Sequence, residues 1–128
     1  MRLLLDTHVF LWWLRNDPAL SSAAISLIED SSNQLFLSSA SGFEIAVKAG
    51  AGKLRLPANV EDFMSSGMRQ GHIEELPITL RQTYHLERLP MIHRDPFDRL
   101  LIAAALEEKL VLVTSDSEIR KYPVQTTW

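Results

Sequence analysis

The sequence predicts an α/β fold, with a central parallel sheet of four to five short strands flanked by helices. Short apolar runs alternate with amphipathic ones along the whole chain, with no internal repeat, low-complexity tract or linker. Strands that alternate with helices are expected to lie parallel and to be covered by helices on both faces. The first apolar run, Leu3 to Leu5, stops at an acid, Asp6. In sheets of this kind functional side chains collect at the carboxyl ends of the strands.

The elements follow in order. Leu3-Leu4-Leu5 reads as a buried strand. Val9, Phe10, Trp12, Trp13 and Leu14 read as a helix stopped near Asn16-Asp17-Pro18. Ser21 to Asp30 is a second helix, with Ala24, Ile25, Leu27 and Ile28 as its apolar stripe. Leu35-Phe36-Leu37 is a second strand. Ser41 to Ala49 is helical, and Gly50 and Gly52 can end it. Lys53 to Pro57 is a loop. Val60 to Met68 is a helix closed by Gly71, Ile73 to Leu76 a third strand, and Thr79 to Leu89 another helix. Pro96 to Lys109 is the most regular helix. Leu110 to Val113 is a fourth strand and Val124 to Thr127 a fifth.

With 128 residues the chain suits one domain with one substantial core. The composition, 46% hydrophobic and 23% charged, is ordinary for a globular protein. There is no cysteine, which excludes disulfides, thiolate metal sites and a cysteine nucleophile. No apolar stretch has the length of a membrane span, and the start lacks the features of a signal peptide, so a cytoplasmic protein is expected. The net charge of −3 argues against a tight, nonspecific DNA binder. Any nucleic-acid role rests on local basic residues and bound metal ions.

The acids carry the functional expectation. Asp6 ends the first strand and Asp116 follows the fourth. Asp98 lies in the first turn of the helix that precedes that strand, and Glu44 lies in the helix after the second strand. A parallel fold brings these positions to one sheet edge. Carboxylates meeting there repel one another unless a cation lies between them, and hard divalent ions such as Mg²⁺ and Mn²⁺ take oxygen ligands. Each acid also has a structural explanation. Asp95, Pro96 and Asp98 make a good helix start, and capping suits Asp95 better than ligation. Ser115 and Glu118 have capping-box spacing, which would place Asp116 in a helix entry. Glu44 and Lys48 form an i,i+4 pair. Asp6 has few structural reasons to be where it is.

In this order the motifs resemble those of PIN-domain nucleases, and specifically the VapC-type toxins of toxin–antitoxin pairs. The matching stretches are Leu3-Leu4-Leu5-Asp6-Thr7-His8-Val9-Phe10-Leu11-Trp12, then Ser38 to Lys48 around Glu44, then His93-Arg94-Asp95-Pro96-Phe97-Asp98-Arg99-Leu100-Leu101-Ile102-Ala103, then Thr114-Ser115-Asp116. Phe43 stands where relatives often carry Trp. The resemblance spans Leu3 to Trp128 and implies a PIN-like three-layer fold over residues 1–128. It also implies a Mg²⁺ or Mn²⁺ site and endonucleolytic cleavage of RNA by metal-activated water, leaving a 5′-phosphate and a 3′-hydroxyl. Asp6, Glu44 and Asp98 would be the core ligands, Asp116 a more variable fourth, and Thr114 an auxiliary group. Arg99, Arg94 and Lys48 lie beside the acids and would hold substrate phosphates, or else be solvated helix charges. The implied partners are an RNA substrate, a cognate antitoxin and a second copy of the chain, with no membrane. One of Trp12 and Trp13 is expected in the core and the other either as an exposed partner anchor or as part of a broad buried face.

Other functions are set against this one. A haloacid-dehalogenase-like phosphatase needs a second Asp two residues after the first, where this chain has His8. A receiver domain needs a phosphorylatable Asp ending a central strand, where this chain has Ser38-Ser39 and Pro77-Ile78. A ribonuclease working through paired histidines is not expected. His8, His72, His85 and His93 show no such pairing and read as surface or packing residues. A housekeeping RNA-processing nuclease and a non-catalytic PIN-fold binding module remain as alternatives.

Overall fold

A computed structural model describes residues 1–128. Five strands, β1 (Arg2–Leu5), β2 (Gln34–Ser38), β3 (Ile73–Leu76), β4 (Val111–Val113) and β5 (Thr126–Thr127), form one sheet in the order β3-β2-β1-β4-β5. Every pairing is parallel. The helices are α1 (Thr7–Arg15), α2 (Ser22–Glu29), α3 (Ser39–Gly50), α4 (Val60–Gly71), α5 (Leu80–Tyr84) and α6 (Pro96–Glu108).

Side chains alternate across the central strand, so its apolar run feeds two cores. Leu3 and Leu5 pack with Val9, Phe10, Ile28, Ile45 and Phe63 on one face. Leu4 packs with Phe36, Ile102, Ala104, Leu112 and Ile119 on the other. The result is the three-layer arrangement expected from the alternation of elements. Asn16, in the left-handed region at φ 51°, closes α1 where the sequence places its stop. Gly67 lets α4 approach α1 closely, because a Cβ there would lie 2.6 Å from Leu14 Cδ1 and that side chain would have to shift.

Three boundaries differ from expectation. The helix expected over Thr79 to Leu89 breaks into α5 and a 3₁₀ turn, His85–Arg88. The fifth strand shrinks to Thr126–Thr127, and α3 starts earlier, with Ser38 capping it through the Ala40 amide. Trp12 and Trp13 are both half-buried against the β1/α1 core, which is the broad-face outcome. Trp12 packs edge-on against Trp128, with ring centroids 6.0 Å apart.

The sheet order positions the site. From β1 the chain moves one way to β2 and β3, then returns to the other side of β1 for β4 and β5. The β1/β4 boundary is therefore the switch point where connections diverge and leave a crevice at the carboxyl ends of the strands.

Candidate active site

Asp6 leaves β1 at that crevice, its amide donating to Val113 O of β4 at 3.1 Å. It is 4% exposed. Thr114, fully buried at the end of β4, donates its hydroxyl to Asp6 Oδ2 at 2.7 Å. The other oxygen, Oδ1, is buried without a partner. Burial raises the Asp6 pKa and the Asp116 charge adds to this, while the Thr114 hydroxyl and His8 oppose it.

Glu44 is 3% exposed on α3, so it is no solvated helix charge. Lys48, one turn on, donates to its Oε2 at 2.7 Å, and Oε1 is buried without a partner. The bond to Glu44 raises the Lys48 pKa, and Asp95 and Asp98 reinforce it. A buried carboxylate oxygen with no donor is costly.

Asp98 sits in the first turn of α6 with its side chain 14% exposed. Its pKa is pushed up to about 7, first by burial and then by the charges of Asp6, Asp95 and Glu44, with His93 opposing. Those repulsions mark Asp6 and Glu44 as neighbours of Asp98. Asp116 joins from the loop after β4, where Thr114 Oγ1 accepts its amide and its Oδ1 accepts the Glu118 amide. Burial pushes the Asp116 pKa up, but the Glu118 amide and His93 outweigh it and hold the carboxyl below its usual range. The capping box expected from Ser115 and Glu118 is thus replaced by a turn in which Asp116 itself is the acceptor.

Asp95 caps α6 through the Phe97 amide at 2.9 Å, as expected. Arg99 donates to Pro90 O, Leu86 O and the Tyr122 hydroxyl. Its guanidinium thus braces the segment before α6. Arg94 is exposed.

His93 overturns its sequence reading as a surface or packing residue. Its Nε2 lies 3.0 Å from both Asp98 Oδ2 and Asp116 Oδ2. Those three residues form a group whose donor atoms all lie within 4.8 Å of one another. The sequence sign was its place two residues before the Asp95 cap, but nothing local brings residue 93 beside residue 116. Burial lowers the His93 pKa, while the hydrogen bond to Asp116 and the charges of Asp98 and Asp95 raise it more. The Asp95 amide donates to Nδ1 at 3.1 Å. A proton on Nδ1 would set two N–H groups against each other, so this bond selects the neutral ring with its proton on Nε2.

The donor set suits a hard divalent ion. It offers two orphaned buried carboxylate oxygens, on Asp6 and Glu44, with Asp98 and Asp116 alongside and no thiolate.

Comparison with known proteins agrees with this fold. The family model for the PIN domain matches residues 3–125. Ribonuclease VapC22 of Mycobacterium tuberculosis is 32% identical over 120 residues, covering 93% of this chain and 90% of that protein. Among solved structures, VapBC2 from Rickettsia felis bound to a promoter DNA fragment superposes with a TM-score of 0.74 at 17% identity, covering 99% of this chain and 98% of that one. DNA-bound VapBC from Salmonella typhimurium gives 0.72 at 20% identity, covering 99% and 97%. The parallel sheet flanked by helices is thus shared architecture, and this chain belongs to the PIN domain family.

Proposed function

We propose that this chain is a divalent-metal-dependent endoribonuclease of the VapC type, the toxin of a toxin–antitoxin pair, acting as one PIN domain over residues 1–128. The observation that supports this most is the pair of buried, partnerless oxygens, Asp6 Oδ1 and Glu44 Oε1, beside Asp98. Several acids held out of water in one crevice are stable as anions only with a cation among them.

Asp6, Glu44 and Asp98 would hold Mg²⁺ or Mn²⁺, with Asp116 as a fourth group. When bound, such an ion supplies Lewis acidity toward water and toward a phosphodiester. The residues do the rest. Thr114 holds Asp6 by Oδ2 and leaves Oδ1 free, and Lys48 does the same for Glu44 through Oε2. The acids also repel the RNA phosphate until their charge is balanced, which couples substrate binding to cation binding. No side-chain nucleophile is required, so water attacks phosphorus and the products are a 5′-phosphate and a 3′-hydroxyl. Lys48, half-exposed beside Glu44, and the exposed Arg94 would meet phosphates. The geometry of Arg99 favours a bracing role over a phosphate contact.

The similar solved structures are of VapBC, and the same kind of partner is proposed here: a cognate antitoxin that sets a basic group among the acids. A second copy of the chain is also proposed, for which Phe43, Val47, Leu80 and Tyr84 provide exposed apolar surface. No helix is long and apolar enough to cross a membrane, and action in the cytoplasm is proposed.

The test is an RNA-cleavage assay with purified protein in Mg²⁺, Mn²⁺ or EDTA, with Asp6→Asn alongside. Cleavage in metal, lost in EDTA and in the folded variant, is the expected result. Cleavage persisting in both refutes the carboxylate mechanism, and failure to cut any RNA favours a binding role.

A further inference from the structure

We propose that His93 is a positioning residue of the carboxylate site, whose Nε2–H hydrogen-bonds Asp116 Oδ2 while lying 3.0 Å from Asp98 Oδ2, and so sets the placement of the two carboxylates relative to each other. The inference rests on the metal-dependent reading above and adds a residue to its machinery.

The ring is held on both sides. Its Nε2 lies 3.0 Å from each Oδ2, one acid coming from α6 and the other from the loop after β4. Its Nδ1 accepts the Asp95 amide at 3.1 Å, and Asp95 is itself fixed as the cap of α6. The backbone is held as well, because the His93 and Ile92 amides donate to the Tyr122 hydroxyl at 2.8 and 3.2 Å. Tyr122 is 4% exposed, so this anchor belongs to the core. The imidazole therefore cannot turn without breaking its bonds to Asp116 and to the Asp95 amide.

The Asp95 amide also decides what the ring can do. Ligation of a metal through Nε2 requires the ring proton on Nδ1, where the amide N–H already points. In this arrangement His93 keeps its proton on Nε2 and is a donor to Asp116, beside Asp98, instead of a ligand. It acts on a bound cation only through Asp98 and Asp116. Groups that orient ligating carboxylates in this way typically contribute about 10-fold or more to metal affinity.

The experiment is Mn²⁺ titration of the full chain by electron paramagnetic resonance, for wild type, His93→Ala, His93→Gln and His93→Asn, with thermal melts confirming folding. A glutamine amide reaches the position of Nε2 and carries two protons, whereas the asparagine amide stops near Nδ1. His93→Ala and His93→Asn should bind Mn²⁺ about 10-fold more weakly, and His93→Gln should stay within about threefold of wild type. In wild type, ¹⁵N spectra should show Nε2 protonated and Nδ1 bare, both before and after Mg²⁺ is added. Unchanged affinity in His93→Ala overturns the proposal, as does a glutamine variant no better than alanine. Tighter binding in His93→Ala means that the imidazole competes with the ion, and an Nδ1 proton with an Nε2 shift on Mg²⁺ addition makes His93 a ligand. Either result also overturns it. Wild type that binds no Mn²⁺ defeats the metal-dependent reading itself, an outcome distinct from all of these.

Discussion

Replacing Asp98 with Asn is expected to stabilise the metal-free protein, increasingly so as pH rises. Burial and the neighbouring acids raise the Asp98 pKa from 3.8 to about 7. An acid whose folded pKa is raised binds its proton more tightly in the fold than in the unfolded chain, so stability falls as pH increases. The cost is absent below the unfolded pKa, grows between about pH 4 and about pH 7, and levels off above the folded value. At about 1.36 kcal/mol per unit, the full shift corresponds to about 4 kcal/mol. The carboxyl keeps some contact with solvent, so screening makes this figure an upper bound. For a chain of this size such a change moves the melting temperature by on the order of 10 °C. Asparagine is close in shape to the neutral acid and carries no charge to bury. The assay is thermal or urea unfolding of wild type and Asp98→Asn in EDTA, at about pH 4 and about pH 8. The variant should match wild type within about 1 kcal/mol at the lower pH and exceed it by several at the higher. A gap of equal size at both pH values, or a variant less stable at about pH 8, would falsify the reasoning. Added Mg²⁺ should narrow the gap by stabilising wild type alone, since the ion binds the folded charged site.

Other perturbations test the surrounding construction. Thr114→Val keeps the shape of the side chain but removes the 2.7 Å bond to Asp6; about 1–3 kcal/mol of stability should be lost, more at high pH, and equal stability in urea melts would show that Asp6 does not need this donor. Arg99→Ala should lower stability by about 2 kcal/mol through its lost bonds to Leu86, Pro90 and Tyr122; the salt dependence of RNA binding should hardly change, and a shallower slope would restore Arg99 as a phosphate contact. Gly67→Ala forces a methyl to within 2.6 Å of Leu14 Cδ1; a cost of about 1–3 kcal/mol is expected, and a variant as stable as wild type would mean that the Leu14 side chain turns aside without cost.

The sequence by itself determined the class of fold and the acids. Leu3 to Leu5 is apolar without alternation because both faces of β1 are covered, and that pattern is local. The Asp95-Pro96 start of α6 is equally local, since a cap and the residue it caps are near neighbours. Asp6 was legible because an acid ending a buried strand has few structural explanations. Other features depended on contacts that no spacing encodes. Glu44 and Lys48 have the spacing of a solvated pair, and only the packing of α3 over the sheet buries the glutamate. Arg99 sits beside Asp98 in sequence, yet its guanidinium meets carbonyls of the preceding segment. His93 and Asp116 lie 23 residues apart and meet only because α6 and β4 return the chain to the switch point beside β1. Local chemistry fixes caps, strands and breaks, because the groups involved are held close by the chain. The protonation and orientation of the acids depend on what solvent is excluded and which charges face one another, and those are set by the assembled fold.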